Sequence, residues 1–137
     1  MYLFFLNLMF VGCFAKRTPK QKLVGTWACT KLMDSGKTAP NEVSDALRWE
    51  VDEEYIIFHL RGTSKKYRYT VNSDTKPWTI DLLDEKTNKV MLSIFSIEGG
   101  RLFTCSSEGK FSKKRPTAFE SVNGSENDVL MEFKKIQ

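Results

Sequence analysis

The sequence predicts an all-β fold, an antiparallel up-and-down β-barrel of about eight strands with one short helix. Short segments with alternating or strongly β-forming residues recur at regular spacing from Leu23 onward. Turn residues separate these segments by mostly short connections, as sequential antiparallel strands require. An open sheet of this size would expose its edge strands, and closure into a barrel removes both edges.

The predicted elements follow one another from Lys22 onward. Gly99 and Gly100 predict a tight hairpin, because glycine readily adopts the positive φ angles of such turns. Pro40 to Leu47 predicts the single helix, because proline suits a first turn and the apolar residues fall on one face. The predicted strands are Lys22 to Leu32, Trp49 to Val51, Tyr55 to Leu60, Lys65 to Val71, Trp78 to Leu82, Val90 to Ile97, Arg101 to Ser106 and Val129 to Lys134.

The segment Met1 to Ala15 is predicted to be an export signal. Tyr2 to Val11 is apolar except for Asn7, a stretch too short to span a bilayer as a helix but typical of a signal peptide. Two routes of processing are possible: cleavage after Ala15, or lipidation of Cys13 as in bacterial lipoproteins. The Lys or Arg that normally precedes the apolar run is absent. A strand or helix of the fold itself is the alternative for this segment.

Export would place the protein in the periplasm, on a membrane through an N-terminal lipid at Cys13, or otherwise in the secreted fraction. Lys16 to Lys22 is then predicted to be a polar tether outside the fold. Residues 23–137 are predicted to form the barrel domain. The length of 137 residues suits this single domain, without an internal boundary.

The charge of the chain argues against nucleic acid as a partner. Its formal net charge is only +4, whereas nucleic-acid binders usually concentrate many basic residues on one face. The basic residues cluster instead at Lys16 to Lys22 and at Lys110 to Arg115, where solvated loops are expected. We expect a monomer without a cofactor.

Four sequence blocks in order resemble a known family. Leu23 to Trp27 contains the Gly-x-Trp motif that opens lipocalins and their relatives. Thr75 to Leu82 is similar to a "KPxxIDL" block, Ile94 to Cys105 to an "IYxLEGDxLxxC" block, and Arg115 to Ser121 to an "RPTxFxS" block. Together they resemble the small lipocalin-like domains that are expanded in planctomycete bacteria, often behind signal peptides. The resemblance implies an antiparallel barrel and no known activity.

The same resemblance implies a structural role for Gly25 and Trp27. In lipocalin-like barrels the tryptophan of this motif closes one end, and a basic residue late in the last strand packs over its ring. Lys134 or Lys135 would make that cation–π contact here. Stacking of Trp27 against a ligand is the alternative interpretation.

Alternation on the strands predicts a set of lumen residues. An eight-stranded barrel is just wide enough to be filled by side chains or to hold one small ligand. Bulky residues favour a filled lumen, whereas buried tyrosine hydroxyls need partners and favour a site. The candidate ligand-binding residues are Tyr67, Tyr69, Trp78, Ile80, Leu82, Met131 and Phe133, with Val129 beside them.

The cysteine and histidine residues predict neither a disulfide nor a metal site. Cys29 and Cys105 lie on the first and seventh predicted strands, so the eighth strand separates them in a closed barrel. Two strand spacings are about 9–10 Å, beyond the roughly 7 Å Cα limit of a disulfide, and two buried thiols are expected. His59 is the single histidine, without neighbouring ligands in sequence, so no metal site is predicted.

Three hypotheses for function follow. The first is a barrel that binds a small apolar or amphipathic ligand in the cell envelope, based on the aromatic lumen set. The alternative is a filled barrel whose loops, from Glu108 to Ser125, bind a protein or envelope polymer. An enzyme of unknown type is third, because the sequence has no recognisable catalytic motif. An apolar cavity of about 300 Å³ or more would favour ligand binding.

Overall fold

The computed structural model describes residues 16–108 and 113–137 of the chain. The helices in these residues are short: α1 (Pro19–Leu23) and α2 (Asn41–Ala46). The strands are β1 (Gly25–Asp34), β2 (Lys37–Thr38), β3 (Leu47–Val51), β4 (Tyr55–Leu60), β5 (Thr63–Asn72), β6 (Trp78–Asp84), β7 (Lys89–Glu98), β8 (Arg101–Ser106) and β9 (Val129–Lys135).

Eight of the described strands, β1 and β3 to β9, form a closed antiparallel barrel. Each pairs with the next of the set, and β9 pairs back with β1 to close the sheet. Strand β2 is a short addition to β1, where Met33 pairs with Thr38. The predicted lipocalin-like barrel is confirmed, and α2 lies within the predicted helix at Pro40 to Leu47.

One face of every barrel strand points into the lumen, because side chains alternate along a strand. The register aligns inward residues across the sheet: Trp27 lies opposite Trp49, and Trp49 lies opposite Phe58. A bulge after Cys29 shifts the alternation of β1, so Leu32 lies opposite the inward Met131. The main hydrophobic core therefore fills the inside of the barrel.

The segment Lys16 to Lys22 is not simply a tether outside the fold, because part of it belongs to α1. The Thr18 hydroxyl accepts a hydrogen bond from the Gln21 backbone N–H at 3.2 Å, and the Gln21 side chain accepts one from the Thr18 N–H at 2.9 Å. This reciprocal capping box begins the helix. Leu23 at its end is fully buried, so packing on the barrel holds α1 in place.

The barrel has two different ends. Helix α1, the turn at 52–54 and the hairpin of Gly99 and Gly100 lie at one, called here the closed end. The turns at 61–62 and 85–88 and the segment after β8 lie at the other, called here the mouth. Gly99 and Gly100 have φ angles of 53° and 77°, which confirms the predicted hairpin.

Candidate functional site

Trp27 lies at the closed end with its side chain fully buried. Its Nε1 donates a hydrogen bond to the Leu23 carbonyl oxygen at 2.8 Å, which ties α1 to β1. Lys135 Nζ lies 5.7 Å from the centre of the Trp27 ring, within cation–π range. Lys134 is exposed on the outer wall. The structure therefore brings Lys135, and not Lys134, to the tryptophan.

Gly25 permits a close approach of the chain end to the start of β1. Its φ of +143° is one that side-chain-bearing residues rarely adopt, and an added Cβ would lie 2.5 Å from the Gln137 carbonyl oxygen. That oxygen accepts a hydrogen bond from the Thr26 N–H at 2.7 Å. The glycine of the Gly-x-Trp motif is thus required by backbone packing at the closed end.

The sequence-predicted lumen residues all lie on the inner face of the barrel. They pack against one another and against Trp27, Trp49, Phe95 and Leu102, which are fully buried. The Tyr69 hydroxyl donates a hydrogen bond to the Asp52 carbonyl oxygen at 2.6 Å, so its partner is backbone. The seven are Tyr67, Tyr69, Trp78, Ile80, Leu82, Met131 and Phe133, of which only Trp78 is half-buried.

Sequence reasoning missed the aromatic stack at the centre of the lumen. Trp49 stacks on Phe58 with ring centres 4.6 Å apart. The Phe133 ring centre also lies 4.6 Å from that of Trp49. The Tyr67 ring centre lies 4.9 Å from that of Phe58. The alternation of Leu47, Trp49 and Val51 in β3 was the signal for these inward positions. The stack leaves the centre of the barrel filled.

The space for a ligand lies at the mouth, above this stack. A cavity of about 620 Å³ opens there beside the tip of the β4–β5 hairpin. Phe58 and Leu47 provide apolar walls, and Leu60 lies at its exposed edge. The full lining is Leu47, Phe58, Leu60, Thr63, Ser64, Lys65, Lys66, Asp84 and Lys86.

A second cavity adjoins the first across an ion pair. It measures about 340 Å³ and is lined by Tyr67, Met91 and Glu108 among others. Lys65 and Asp84 line both cavities, and Lys65 Nζ lies 3.4 Å from Asp84 Oδ2. The Tyr67 side chain and then Asp84 raise the pKa of Lys65 above its usual value, so the ammonium form is favoured at neutral pH.

A hydrogen-bonded chain of three side chains lies on the outer wall beside the mouth. His59 Nδ1 lies 2.7 Å from Ser64 Oγ, and His59 Nε2 lies 3.0 Å from Glu50 Oε2. Strand pairing causes this, because His59 lies directly opposite Ser64. Serine nucleophiles work with a base and preorganised oxyanion donors in a sheltered site, whereas Glu50 and His59 are open to water. We interpret the chain as a surface cross-strand contact.

The segment 113–128 covers the outer wall over β7 to β9. Arg115 Nη2 lies 2.7 Å from Asp81 Oδ1, and Arg115 Nη1 donates a hydrogen bond to the Ser93 carbonyl oxygen at 2.8 Å. Buried Asn127 accepts a hydrogen bond from the Thr117 N–H at 2.9 Å and donates one to Glu120 Oε1. The Arg115–Asp81 contact joins the "RPTxFxS" and "KPxxIDL" blocks, so both have structural roles.

The two described cysteines are free and buried on opposite faces of the wall. Cys29 belongs to the lumen core, whereas Cys105 lies on the outer face under the 113–128 segment. Burial raises the pKa of each thiol to about 11, so both are protonated at neutral pH. No group of three or more metal-ligating side chains occurs among residues 16–108 and 113–137.

The predicted export signal, Met1 to Ala15 with Cys13, lies outside the described residues. Within the described ranges, no helix has the length and apolar character to cross a membrane. Comparisons with protein-family models, curated proteins and solved structures found no match to this chain. The resemblance to planctomycete lipocalin-like proteins stays a prediction.

Proposed function

We propose that this protein binds a small amphipathic molecule at the mouth of its barrel, in the cell envelope. The observation that carries the proposal is the mouth cavity of about 620 Å³, which lies within the size range of small-molecule sites. Its walls combine apolar Phe58 and Leu47 with charged Lys65 and Asp84. Such a lining suits a ligand with one apolar and one polar end.

The site is proposed at the mouth and not in the lumen, because the lumen is filled. Trp49 and Phe133 occupy the centre of the barrel, and neither is exposed to solvent by more than 1%. A ligand there would have to displace packed aromatic rings, which interiors resist. The Phe58 ring closes the floor of the cavity on one side and stacks on Trp49 on the other.

Two exposed apolar side chains at the mouth support the same proposal. Leu60 and Val90 are 36% and 45% exposed, and each lines one of the two adjoining cavities. An apolar ligand segment that covered them would remove apolar surface from water, which stabilises a complex by roughly 25 cal/mol per Å².

Titration with octanoate and with octan-1-ol tests the site directly. We expect the backbone amide NMR signals of Phe58, Leu60 and Lys65 to shift, because these residues line the cavity. Thr63→Trp places a bulky ring inside the mouth and is expected to weaken both ligands at least about tenfold, a loss of about 1.4 kcal/mol. Isothermal titration calorimetry measures the affinities.

The matched control is Thr70→Trp, which adds the same ring to an exposed position further along β5. It should bind both compounds as the parent does. Absence of shifts at the mouth with either compound, or equal weakening by both tryptophan variants, would contradict the proposed site.

An interaction module is the second candidate, supported by the segment 113–128. This segment presents Phe119 and Val122 to solvent, 37% and 43% exposed, while Arg115 ties it to the barrel and Asn127 ties its own backbone together. An apolar pair on a fixed loop suits a protein or polymer partner. If neither amphipath binds, this segment becomes the favoured site.

The location in the cell envelope is tested by mass spectrometry of the protein from its native source. We expect a mature N-terminus at Cys13 carrying lipid, or at Lys16 after cleavage, because the apolar run before them is typical of an export signal. Recovery of intact Met1 from the cytoplasm would contradict this proposal and leave the mouth cavity unaffected.

A further inference from the structure

The charged residues at the mouth indicate which head group the ligand carries. We infer that it is an anion, a carboxylate or a phosphate, which pairs with the Lys65 ammonium where the two cavities meet. The inference rests on the proposed function, since it assigns the polar end of the molecule that the mouth binds. It is carried by the geometry of Lys65 and Asp84.

Lys65 and Asp84 both line the two cavities, but Lys65 is much more accessible to a ligand. The Lys65 side chain is 60% exposed, while the Asp84 side chain is 10% exposed. Their separation of 3.4 Å is longer than a strong charge-assisted hydrogen bond. The ammonium therefore has donors left for a second anion.

Asp84 keeps its partners when Lys65 turns to a ligand. Its Oδ1 accepts a hydrogen bond from the Lys86 backbone N–H at 3.0 Å, and its backbone oxygen accepts one from Asn88 at 2.7 Å. Burial opposes its charge, but the hydrogen bonds from Lys86 and Thr87 and the Lys65 ammonium together lower the pKa of Asp84. When Lys65 moves from Asp84 to a ligand anion, the Asp84 carboxylate therefore still accepts hydrogen bonds from Lys86 and Thr87.

The remaining charges locate the anion on the side of the larger cavity. Lys86 lines that cavity and adds positive potential, whereas the smaller cavity has Lys89 together with Glu108, whose opposite charges offset each other. Lys66 makes little contribution, because its Nζ lies 3.8 Å from the centre of the Tyr55 ring on the outer wall. The head group therefore faces Lys65 and Lys86, and the apolar chain faces Phe58.

The test compares ligands that differ only in the head group. In the parent protein, octanoate is expected to bind at least about tenfold more tightly than octan-1-ol, with a preference that declines as salt rises. Lys65→Met keeps the stem of the side chain and removes the charge, so it should reduce the ratio of octanoate affinity to octan-1-ol affinity to about one. Asp84→Asn removes the competing carboxylate and should strengthen octanoate.

Lys134→Met is the matched control, because it removes the same charge from an exposed position at the closed end. It should leave the preference for octanoate intact. Octyl phosphate distinguishes a phosphate from a carboxylate head group. If it binds more tightly than octanoate, the head group is a phosphate; if it binds more weakly, the head group is a carboxylate.

The outcomes separate the two proposals. Equal binding of octanoate and octan-1-ol, or tighter binding of octylamine, would overturn the anionic head group and leave the mouth site standing. Failure of all four compounds to bind would overturn both proposals. A preference for octanoate that survives in Lys65→Met would overturn the role of Lys65.

Discussion

Replacement of Trp27 by alanine is expected to lower the free energy of unfolding by about 3–5 kcal/mol, the usual loss for a buried tryptophan. The side chain is fully buried, and its Nε1 donates the hydrogen bond that ties α1 to the barrel through Leu23. Loss of the ring removes packing at the closed end and also the anchor of α1. Since native domains are stable by only about 5–15 kcal/mol, chemical denaturation should reveal the change clearly.

Trp27→Phe is the matched variant, because it keeps an aromatic ring and removes the N–H. Its loss should be smaller than that of alanine, and the difference between the two variants reports the packing of an aromatic ring at this position. If Trp27→Ala is as stable as the parent but loses octan-1-ol binding, Trp27 would belong to a ligand site and not to the plug.

Replacement of Trp49 by alanine is expected to cost a similar amount, about 3–5 kcal/mol, and to open a cavity at the centre of the lumen. Trp49 is 1% exposed and lies between Phe58 and Phe133, each with its ring centre 4.6 Å away. Apolar cavities of this kind stay dry and take up small apolar molecules. Denaturation measures the loss, and binding of benzene or xenon detects the new space.

Arg48→Ala provides the control on the same strand, since Arg48 is exposed on the outer wall. Its effect should stay within about 0.5 kcal/mol, as for most surface substitutions. Benzene bound equally well by the parent protein and Trp49→Ala would show that the lumen already holds an accessible space. The proposed site would then move from the mouth into the barrel.

Together these variants separate stability from binding. Trp27 and Trp49 are fully buried below the mouth, whereas Lys65 and Thr63 are exposed at it. We therefore expect the first pair to change the free energy of unfolding and the second pair to change affinity. A residue that changed both would mark physical coupling between the core and the mouth cavity.

Local patterns in the sequence determined the barrel and most of its inner face. Period-two alternation is a property of the strand itself, so Tyr67, Tyr69, Ile80 and Leu82 could be assigned to one face before any pairing was known. The hairpin at Gly99 and Gly100 was likewise readable, because its positive φ angles are a local requirement. Both features depend only on residues that are near in sequence.

Helix α1 shows where prediction from the local sequence failed. The charges of Lys16 to Lys22 suggested a solvated tether, yet the Thr18 and Gln21 capping box was present in the same residues. What selects the helix is the burial of Leu23 and its hydrogen bond with Trp27, which exist only once the barrel closes. A short helix in isolation is marginal, so tertiary packing decides whether it forms.

Only the tertiary structure decided where a ligand could bind. The lumen set was predicted correctly as inward-facing, but whether it lines a space depends on volumes summed across strands, including Trp49 and Phe58. The Lys65–Asp84 pair joins residues of β5 and β6 at the point where β6 ends. Charge and apolar surface meet there through strand register and relative strand length, which no single segment of the sequence specifies.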